Sequence, residues 1–237
     1  MPADQTYIGQ ELTIFAHAVN WKNYYSSIVR PYLGQQVVEV GAGIGATTAV
    51  ICDGGQQEWI CLEPDPLLRS RIDRLIQEGN LPGCCRTRGG FVSDLPPESR
   101  LDTFIYIDVL EHIEADRAEL RQAAARLKPG GRLIVLSPAF DFLFSPFDRS
   151  IGHFRRYDKK MFRALTPPGC SLEKLMYLDS IGMLTSLLNR LVLSQSMPTV
   201  EQILFWDRRI IPITKWIDTL LFHQFGRSLL GIWEKNE

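Results

Sequence analysis

Apolar and polar residues follow two alternating patterns between residues 36 and 138 of the chain. Short apolar runs typical of strands begin at residue 37 and cover 58–63, 101–108 and 132–137, while helical spacing covers 66–77 and 115–127. Strands separated by helices of this length indicate right-handed crossovers and a parallel sheet. We therefore predict a doubly wound α/β domain.

Both ends of the chain add helical patterns to this domain. Leu12, Phe15, Ala16 and Val19 are spaced as the apolar face of one amphipathic helix. Two further strand candidates, 171–178 and 228–233, enclose a helical stretch over 181–225. We divide a single domain, 1–237, into an N-terminal helical segment (1–34), a core (35–178), a helical insert (179–225) and a last strand (226–237).

The helical insert contains an apolar stripe with Lys215 and Asp218 off it. The stripe consists of Ile213, Trp216, Ile217, Leu220 and Leu221. Packing of a helix pair on the core is the interpretation we favour. A lid over a substrate site and a helix lying on a membrane surface are the alternatives.

Composition excludes several classes of protein. The formal net charge is −1, which gives no bulk electrostatic reason to expect a nucleic-acid partner. The five cysteines lack Cys-x-x-Cys spacing, so we expect reduced thiols and no metal site or disulfide framework. No window approaches the roughly 18 apolar residues that span a bilayer, and no signal-peptide pattern begins the sequence. We expect a cytoplasmic protein without an integral membrane segment.

A glycine-rich turn follows the first apolar strand. Gly41, Gly43 and Gly45 stand at alternate positions, where they allow a sharp turn and close approach of a ligand to the backbone. The spacing Gly41-x-Gly43-x-x-Ala46 also satisfies the dinucleotide fingerprint. The loop alone therefore leaves NAD and other nucleotide ligands open.

Carboxylates at the strand ends narrow the choice of ligand. Glu63 ends the second strand 18 residues after Gly45, where a carboxylate accepts the ribose hydroxyls of NAD or S-adenosylmethionine. An N-cap role at the start of the next helix suits Asp65 better than Glu63. Glu39 precedes the loop on a strand that is otherwise apolar, and Asp108 ends the fourth strand. A buried carboxylate favours a ligand with a sulfonium and an ammonium over a pyrophosphate.

Four motifs then appear in a defined order. Glu-x-Gly-x-Gly-x-Gly is followed by an acidic end of strand two, by Val-Leu-Glu-His after strand four and by Leu-Lys-Pro-Gly-Gly before strand five. Over residues 36–138 this series resembles the class I S-adenosylmethionine-dependent methyltransferases. The resemblance implies a Rossmann-like sheet of seven strands in the order 3-2-1-4-5-7-6, with strand seven antiparallel. Residues 171–178 and 228–233 would be strands six and seven.

The same resemblance implies roles for the cofactor residues. Gly41, Gly43 and Gly45 would line the methionine and ribose of S-adenosylmethionine, with Glu39 near the amino acid end and Glu63 on the ribose. Asp108 would lie beside the methionine moiety or the transferred methyl group. Asp94 comes late for an adenine contact, so backbone groups of Phe91 or Val92 are assigned to the adenine.

The substrate side is predicted from the segment over 148–157. Similar Gly-His-x-Arg-Arg-Tyr segments occur in a bacterial branch of these methyltransferases, at a loop near the active site. We predict His153 as the general base and Arg155, Arg156 and Tyr157 as substrate-binding residues. The alternative is a structural cluster in which Asp148 pairs with an arginine and His153 caps the next helix.

Other aromatic and histidine residues are weighed in the same way. Trp21, Tyr24 and Tyr25 follow the first helical pattern and are candidates to close over cofactor or substrate, with ordinary packing on the sheet as the alternative for each. Of these, Trp21 and Tyr24 are assigned to substrate binding. His112 is interpreted as a wall of the cofactor pocket. His17 and His223 are interpreted as structural.

The sequence thus predicts an enzyme that transfers a methyl group from S-adenosylmethionine to an oxygen or nitrogen atom of a small molecule. A lipid-linked glycan or another membrane-associated acceptor, with peripheral membrane contact, is the alternative substrate class. An NAD-dependent oxidoreductase and a non-catalytic binding module are the alternatives of other classes.

Overall fold

A computed structural model describes residues 11–188 and 198–237 of the protein. Within these ranges, seven strands form one sheet in the order β3-β2-β1-β4-β5-β7-β6. The strands are β1 (Gln36–Val40), β2 (Glu58–Leu62), β3 (Cys85–Arg88), β4 (Leu101–Ile107), β5 (Leu127–Pro138), β6 (Cys170–Leu178) and β7 (Ser228–Lys235). Strands β1 to β5 pair in parallel, and β7 is antiparallel to both β5 and β6. The predicted strand order and directions are confirmed.

Helices cover both faces of this sheet. In chain order they are α1 (Glu11–Ala16), α2 (Val19–Val29), α3 (Thr48–Ile51), α4 (Pro66–Gln77), α5 (Asp116–Ala125), α6 (Pro146–Ser150), α7 (Lys159–Ala164), α8 (Ser180–Leu188), α9 (Val200–Phe205) and α10 (Ile211–Leu220). Successive residues of a strand point to opposite faces, so Val37 joins the apolar core beneath α2 while Val38 joins the core beneath α5. Both faces of β1 are therefore buried, as expected for a parallel sheet.

The elements of the core follow the predicted boundaries closely, with one exception. Helix α4 covers the predicted residues, and Asp65 caps it by accepting the backbone N–H groups of Leu67 and Leu68 at 2.7 and 3.1 Å. Strand β5 begins at Leu127, five residues before the predicted start. Helix α5 already ends at Ala125, so the Pro129-Gly130-Gly131 stretch does not end it as predicted. This stretch lies in the strand, at a bulge against β4 that accommodates the positive φ of Gly130.

The N-terminal helical pattern forms two helices, so the prediction of one continuous helix is wrong. The break falls at His17 and Ala18, and Val19 begins α2 as an exposed residue. The Lys22 ammonium donates to the carbonyl oxygens of Phe15 and Ala18 at 2.5 and 3.4 Å. These bonds join the first turn of α2 to the break between the two helices.

The helical insert departs most from the prediction. A π-helical turn over Trp206–Ile210 joins α9 to α10, and residues 189–197 of the predicted helical stretch lie outside the described residues. The apolar stripe on α10 does not pack on the core: Ile213, Trp216 and Leu220 are exposed, whereas Asp218 is buried. The core-packing interpretation of this stripe is therefore wrong. In the two described ranges, no helix has the length and apolar character needed to cross a membrane.

Candidate active site

The glycine loop turns between β1 and α3. Gly41 has a φ of +66°, and a Cβ there would lie 2.7 Å from Cγ2 of Val109, so a side chain would displace the turn after β4. Gly43 also has a positive φ, and both residues line a large cavity. Gly45 instead packs against Ile72 and Leu75 of α4. The first two glycines thus line the cavity, whereas Gly45 does not belong to its described wall, and contact of all three with a cofactor stays a prediction.

Glu39 lies beneath this loop, fully inside the fold. Its Oε2 accepts hydrogen bonds from Thr48 Oγ1 at 2.7 Å and from Trp59 Nε1 at 2.9 Å. Burial raises the pKa of the Glu39 carboxyl to about 7. Because Glu39 does not belong to the described wall of the cavity, its direct contact with a cofactor stays a prediction.

Glu63, which follows β2, holds the same loop by hydrogen bonds. Its Oε2 accepts the backbone N–H of Gly43 at 2.8 Å, and its Oε1 accepts the N–H of Asp65 at 3.0 Å. Burial raises the pKa of this carboxyl, and the two backbone hydrogen bonds oppose the rise. Each oxygen retains acceptor capacity, so the predicted ribose contact is compatible with these bonds.

The predicted adenine residues lie after β3. Asp94 accepts the backbone N–H of Phe91 at 2.8 Å, which closes a 3₁₀ turn over Val92–Asp94. Phe91 is exposed and Val92 is buried. Neither belongs to the described cavity wall, so their assignment to adenine also stays a prediction.

A cavity of about 760 Å³ opens at the carboxyl ends of β1 and β4, where ligands bind in open α/β sheets. The glycine loop and Asp108 form one part of its wall, and Glu111, His112 and His153 form another. Most of the apolar wall comes from helices α1, α2 and α6 and from the insert. The insert contributes Phe205, Trp206 and other residues to this wall, and its role as a lid over a substrate stays a prediction.

Asp108 faces the cavity with a positive φ of 53°. The Asp108 side chain is exposed within the cavity. The protein around the cavity nevertheless reduces its hydration, and this loss of hydration raises the pKa of the carboxyl. The charges of His153, Arg227 and Lys22 oppose this rise. The site therefore holds a carboxylate whose ionised form a cationic ligand would stabilise.

Asp148 organises the predicted catalytic segment. The Nδ1 atom of His153 lies 2.8 Å from its Oδ1, and Arg156 donates to both of its oxygens at 2.9 and 3.0 Å. The Ser145 hydroxyl and backbone N–H each donate to Oδ2 at 2.8 Å. Although burial would raise the pKa of Asp148, the bonds from His153 and Arg156 hold it well below its usual range. Asp148 is therefore ionised, and it fixes the orientation of the His153 ring.

The other ring nitrogen of His153 points towards Glu111. Nε2 lies 3.8 Å from Glu111 Oε1, and within the described ranges neither oxygen of this fully buried carboxyl has a hydrogen-bond partner. Burial and the Asp108 charge raise the pKa of Glu111 well above its ordinary value. The His112 ring contacts His153 edge-on at 4.6 Å between ring centroids, and burial lowers the His112 pKa to about 4. A neutral His112 suits the predicted role as a pocket wall.

Two clusters of described side chains have ligand atoms close enough to share one metal ion, within 4.8 Å of each other. One comprises Glu111, His112 and His153, and the other comprises Cys52, Cys84 and Cys85. Cysteine spacing along the chain does not reveal the second cluster, because α3 and β3 bring these residues together. The hydrogen bond to Cys85 and burial raise the pKa of Cys52, and burial and the hydrogen bond to Cys52 raise the pKa of Cys84. The pKa of Cys85 is lowered by its hydrogen bond to Cys52 but raised more by its bond to Cys61 and by burial, so the neutral form of all three thiols is favoured.

The structure divides the predicted substrate residues into two groups. Trp21 and Arg156 line the cavity. Arg155 instead pairs with Asp116, and the Tyr157 hydroxyl donates to Asp116 at 3.0 Å. Tyr24 donates to Asp218 at 2.9 Å. These last three side chains form structural bonds outside the described cavity wall.

Lys22 is a cavity residue that sequence reasoning missed. It is buried on α2, and burial lowers the pKa of its ammonium to about 8, against the attraction of Asp108 and Asp207. No motif marks it, because its environment is made by residues distant in sequence. Of the histidines interpreted as structural, His17 is exposed, and His223 Nδ1 lies 3.2 Å from the Tyr177 carbonyl oxygen.

Comparisons with known proteins agree with this architecture. A family model described as "Methyltransferase domain" matches residues 38–133. The demethylmenaquinone methyltransferase of Tropheryma whipplei is 30% identical over 123 residues, which cover 51% of this chain and 49% of that protein. The tRNA U34 carboxymethyltransferase of Syntrophotalea carbinolica is 29% identical over 126 residues, which cover 50% of this chain and 38% of that protein. The matches thus span less than half the length of these relatives.

A solved structure shows the same fold over nearly the whole chain. The geranyl diphosphate C-methyltransferase of Streptomyces coelicolor A3(2), in complex with Mg²⁺, geranyl diphosphate and S-adenosyl-L-homocysteine, superposes with a TM-score of 0.64 at 14% identity. The superposition covers 99% of this chain and 90% of that one. Residues 38–133 thus match a methyltransferase domain, and the sheet has the 3-2-1-4-5-7-6 order that the resemblance to the class I S-adenosylmethionine-dependent methyltransferases implies.

Proposed function

We propose that this protein binds S-adenosylmethionine against the glycine loop and transfers its methyl group to an oxygen or nitrogen atom of a small molecule. One observation carries the proposal: Gly41, Gly43, Asp108 and His153 all line a single cavity. Cofactor and acceptor therefore have room to meet within one enclosed space.

The chemistry of the wall fits this cofactor. Asp108 and Glu111 are carboxyls whose pKa is raised by burial, so a sulfonium and an ammonium would offset the cost of ionising them. The same carboxylates would repel a pyrophosphate at close range. These charges support S-adenosylmethionine over NAD, although the glycine spacing is compatible with both.

When bound, the cofactor supplies a methyl group on a positively charged sulfur. The protein aligns the acceptor atom with the methyl carbon. Alignment of this kind provides a large share of the rate acceleration of an enzyme. His153 accepts the acceptor's proton on Nε2, while Nδ1 is engaged by Asp148. Asp148 is a positioning residue, because it sets the tautomer and the ring orientation and has no contact with the acceptor in this assignment.

The apolar wall supports an acceptor with an apolar body. Phe15, Leu143, Phe147, Ile151 and Trp206 line the cavity, together with the cationic Arg156 and Lys22. A volume of about 760 Å³ is in the range of small-molecule sites. By their names, two of the similar proteins act on demethylmenaquinone and geranyl diphosphate, whereas a third acts on tRNA. The net charge of −1 supports the small-molecule class for this chain.

Calorimetry tests the cofactor first: S-adenosylhomocysteine should bind and NADH should not. The reverse result would assign the loop to a dinucleotide. The acceptor is then sought by incubating the protein with labelled S-adenosylmethionine and fractionated native extract, and by following which fraction gains the label. Failure of every fraction despite cofactor binding would support a binding module without catalysis.

A membrane-associated acceptor, such as a lipid-linked glycan, is the second candidate. It is supported by the aromatic side chains that the insert exposes. Label appearing in the lipid fraction of the extract would favour it over a freely diffusing metabolite.

A further inference from the structure

Helix α10 presents its apolar side to solvent and its polar side to the protein. Ile213, Trp216 and Leu220 are 55%, 73% and 75% exposed, whereas Thr214 and Asp218 are fully buried. This is the reverse of the usual arrangement of a helix on a globular protein. Phe222 and Phe225, 81% and 52% exposed, extend the apolar surface beyond the end of the helix. We call these five exposed residues the α10 surface.

The buried contacts of Asp218 fix this orientation. Its Oδ2 accepts hydrogen bonds from the Tyr24 hydroxyl at 2.9 Å and from the Asp179 N–H at 2.8 Å. Its Oδ1 accepts the N–H of Ser180 at 2.9 Å. Rotation of α10 to bury Trp216 would break these bonds and leave polar groups without partners, which is costly. The exposure of Ile213, Trp216 and Leu220 on this helix is therefore a consequence of specific hydrogen bonds.

The charges beside the α10 surface are predominantly positive. The acidic residues Asp207 and Asp218 of this part of the insert are buried, and Asp207 accepts the backbone N–H groups of Asn20 and Trp21. Over residues 198–225, the exposed charged residues are Glu201, Arg208, Arg209 and Lys215. Arg209 lies one turn before Ile213, and Lys215 Nζ lies 5.8 Å from the Trp216 ring centroid. An apolar face is thus combined with exposed cations.

This combination fits one partner better than the alternatives. A second copy of the chain that docked through the same face would bring these cations together, since a two-fold interface places a patch against itself. A lipid surface with anionic headgroups attracts the cations and accepts tryptophan and phenylalanine at its boundary. We propose that the α10 surface binds the protein peripherally to anionic membranes. The proposal does not rest on methyl transfer, because it follows from the outer face of the insert alone.

Co-sedimentation of the full chain with vesicles tests the proposal, without cofactor or acceptor. We expect binding to vesicles of phosphatidylcholine mixed with phosphatidylglycerol, and weaker binding to phosphatidylcholine alone. Trp216→Ser and, separately, Leu220→Ser should each lower the partition coefficient about tenfold, as expected for one large apolar side chain. Leu67→Ser is the matched control, because Leu67 is an exposed leucine on α4, which packs on β3 at the opposite edge of the sheet from β6.

A charge variant separates the two contributions to binding. Lys215→Glu should weaken binding to the anionic vesicles and leave binding to phosphatidylcholine unchanged, and added salt should act in the same way. Circular dichroism checks that each variant is folded.

Absence of binding to anionic vesicles, or an equal loss of vesicle binding in Leu67→Ser, would overturn the proposal. A concentration-dependent dimer that Trp216→Ser abolishes, without vesicle binding, would assign the surface to a second copy and also overturn it. None of these results bears on cofactor binding, which calorimetry measures separately.

Discussion

The carboxylate of Asp148 joins His153 to Arg156: one oxygen lies 2.8 Å from His153 Nδ1, and Arg156 donates to both. A structural cluster and a catalytic histidine were the alternatives for this segment, and the observed geometry forms the cluster and is compatible with the catalytic role. The Asp148–Arg156 pair is buried, and its carboxylate positions a histidine whose other nitrogen is directed into the cavity wall beside Glu111.

His153→Ala tests the catalytic role of this histidine. Once the acceptor is identified, we expect turnover to fall by about 10²–10⁴, the usual contribution of a general base, while the affinity for S-adenosylhomocysteine changes little. Turnover and calorimetric affinity are measured on the same preparation. His17→Ala is the matched control, since His17 is an exposed histidine outside the described cavity wall. An undiminished rate in His153→Ala would remove His153 from the mechanism.

Asp148→Asn tests the contribution of the buried ion pair to stability. The folded-state pKa of Asp148 lies below its ordinary value, so its ionised form stabilises the fold above the unfolded pKa, and this contribution is lost as pH falls through the folded pKa. At pH 7 we expect the free energy of unfolding to drop by about 3 kcal/mol, because Arg156 loses its buried partner. Urea titrations at pH 7 and below pH 4 should show the difference shrinking in acid.

Asp141→Asn provides the comparison for Asp148→Asn, since Asp141 is an exposed aspartate on the preceding 3₁₀ turn. It should leave the unfolding curves nearly unchanged. A similar loss in both variants would argue against a specific role of the Asp148 cluster.

Glu39→Gln tests a carboxyl group whose effect on stability changes with pH in the opposite direction to that of Asp148. The pKa of Glu39 is raised from 4.5 to about 7, so the folded protein binds more protons than the unfolded chain between these values. Ionisation of Glu39 therefore costs stability as pH rises from 4.5 to 7, by an amount on the order of 3 kcal/mol. We expect the wild type to lose stability relative to Glu39→Gln over this window, measured by urea unfolding at several pH values. A constant difference between the two proteins would contradict the raised pKa.

Glu63→Ala tests the support of the glycine loop. Loss of the Glu63 bond to the Gly43 N–H, and of the predicted ribose contact, should raise the Kd for S-adenosylhomocysteine about tenfold or more. Glu58→Ala, at the opposite end of β2, should leave the Kd unchanged. Normal affinity in Glu63→Ala, measured by calorimetry, would refute both roles of this carboxylate.

The apolar periodicity of the core was sufficient to predict the sheet. Helix α4 and the start of β4 coincide with their predicted positions, because a parallel strand buried on both faces must be apolar and its capped crossover helix must be amphipathic. The resemblance of residues 36–138 to class I methyltransferases then implied the order of all seven strands, which the sheet confirms.

Side-chain roles were predicted less well, since they depend on partners far apart in sequence. Arg155 and Arg156 are neighbours in the sequence, yet one pairs with Asp116 and the other with Asp148 beside the cavity. Lys22 carries no motif at all, and its lowered pKa arises only where α2 meets the cavity wall.

The sequence by itself determined the fold class, the glycine loop and the carboxylates at the strand ends, because local spacing and backbone chemistry specify these features. Only the tertiary structure decided which side of α10 faces the protein. Its apolar stripe predicted burial, but the bonds of Asp218 to Tyr24, Asp179 and Ser180 place the polar side inward. A helical pattern shows that two faces differ, whereas the buried polar partners on other elements determine which face is covered.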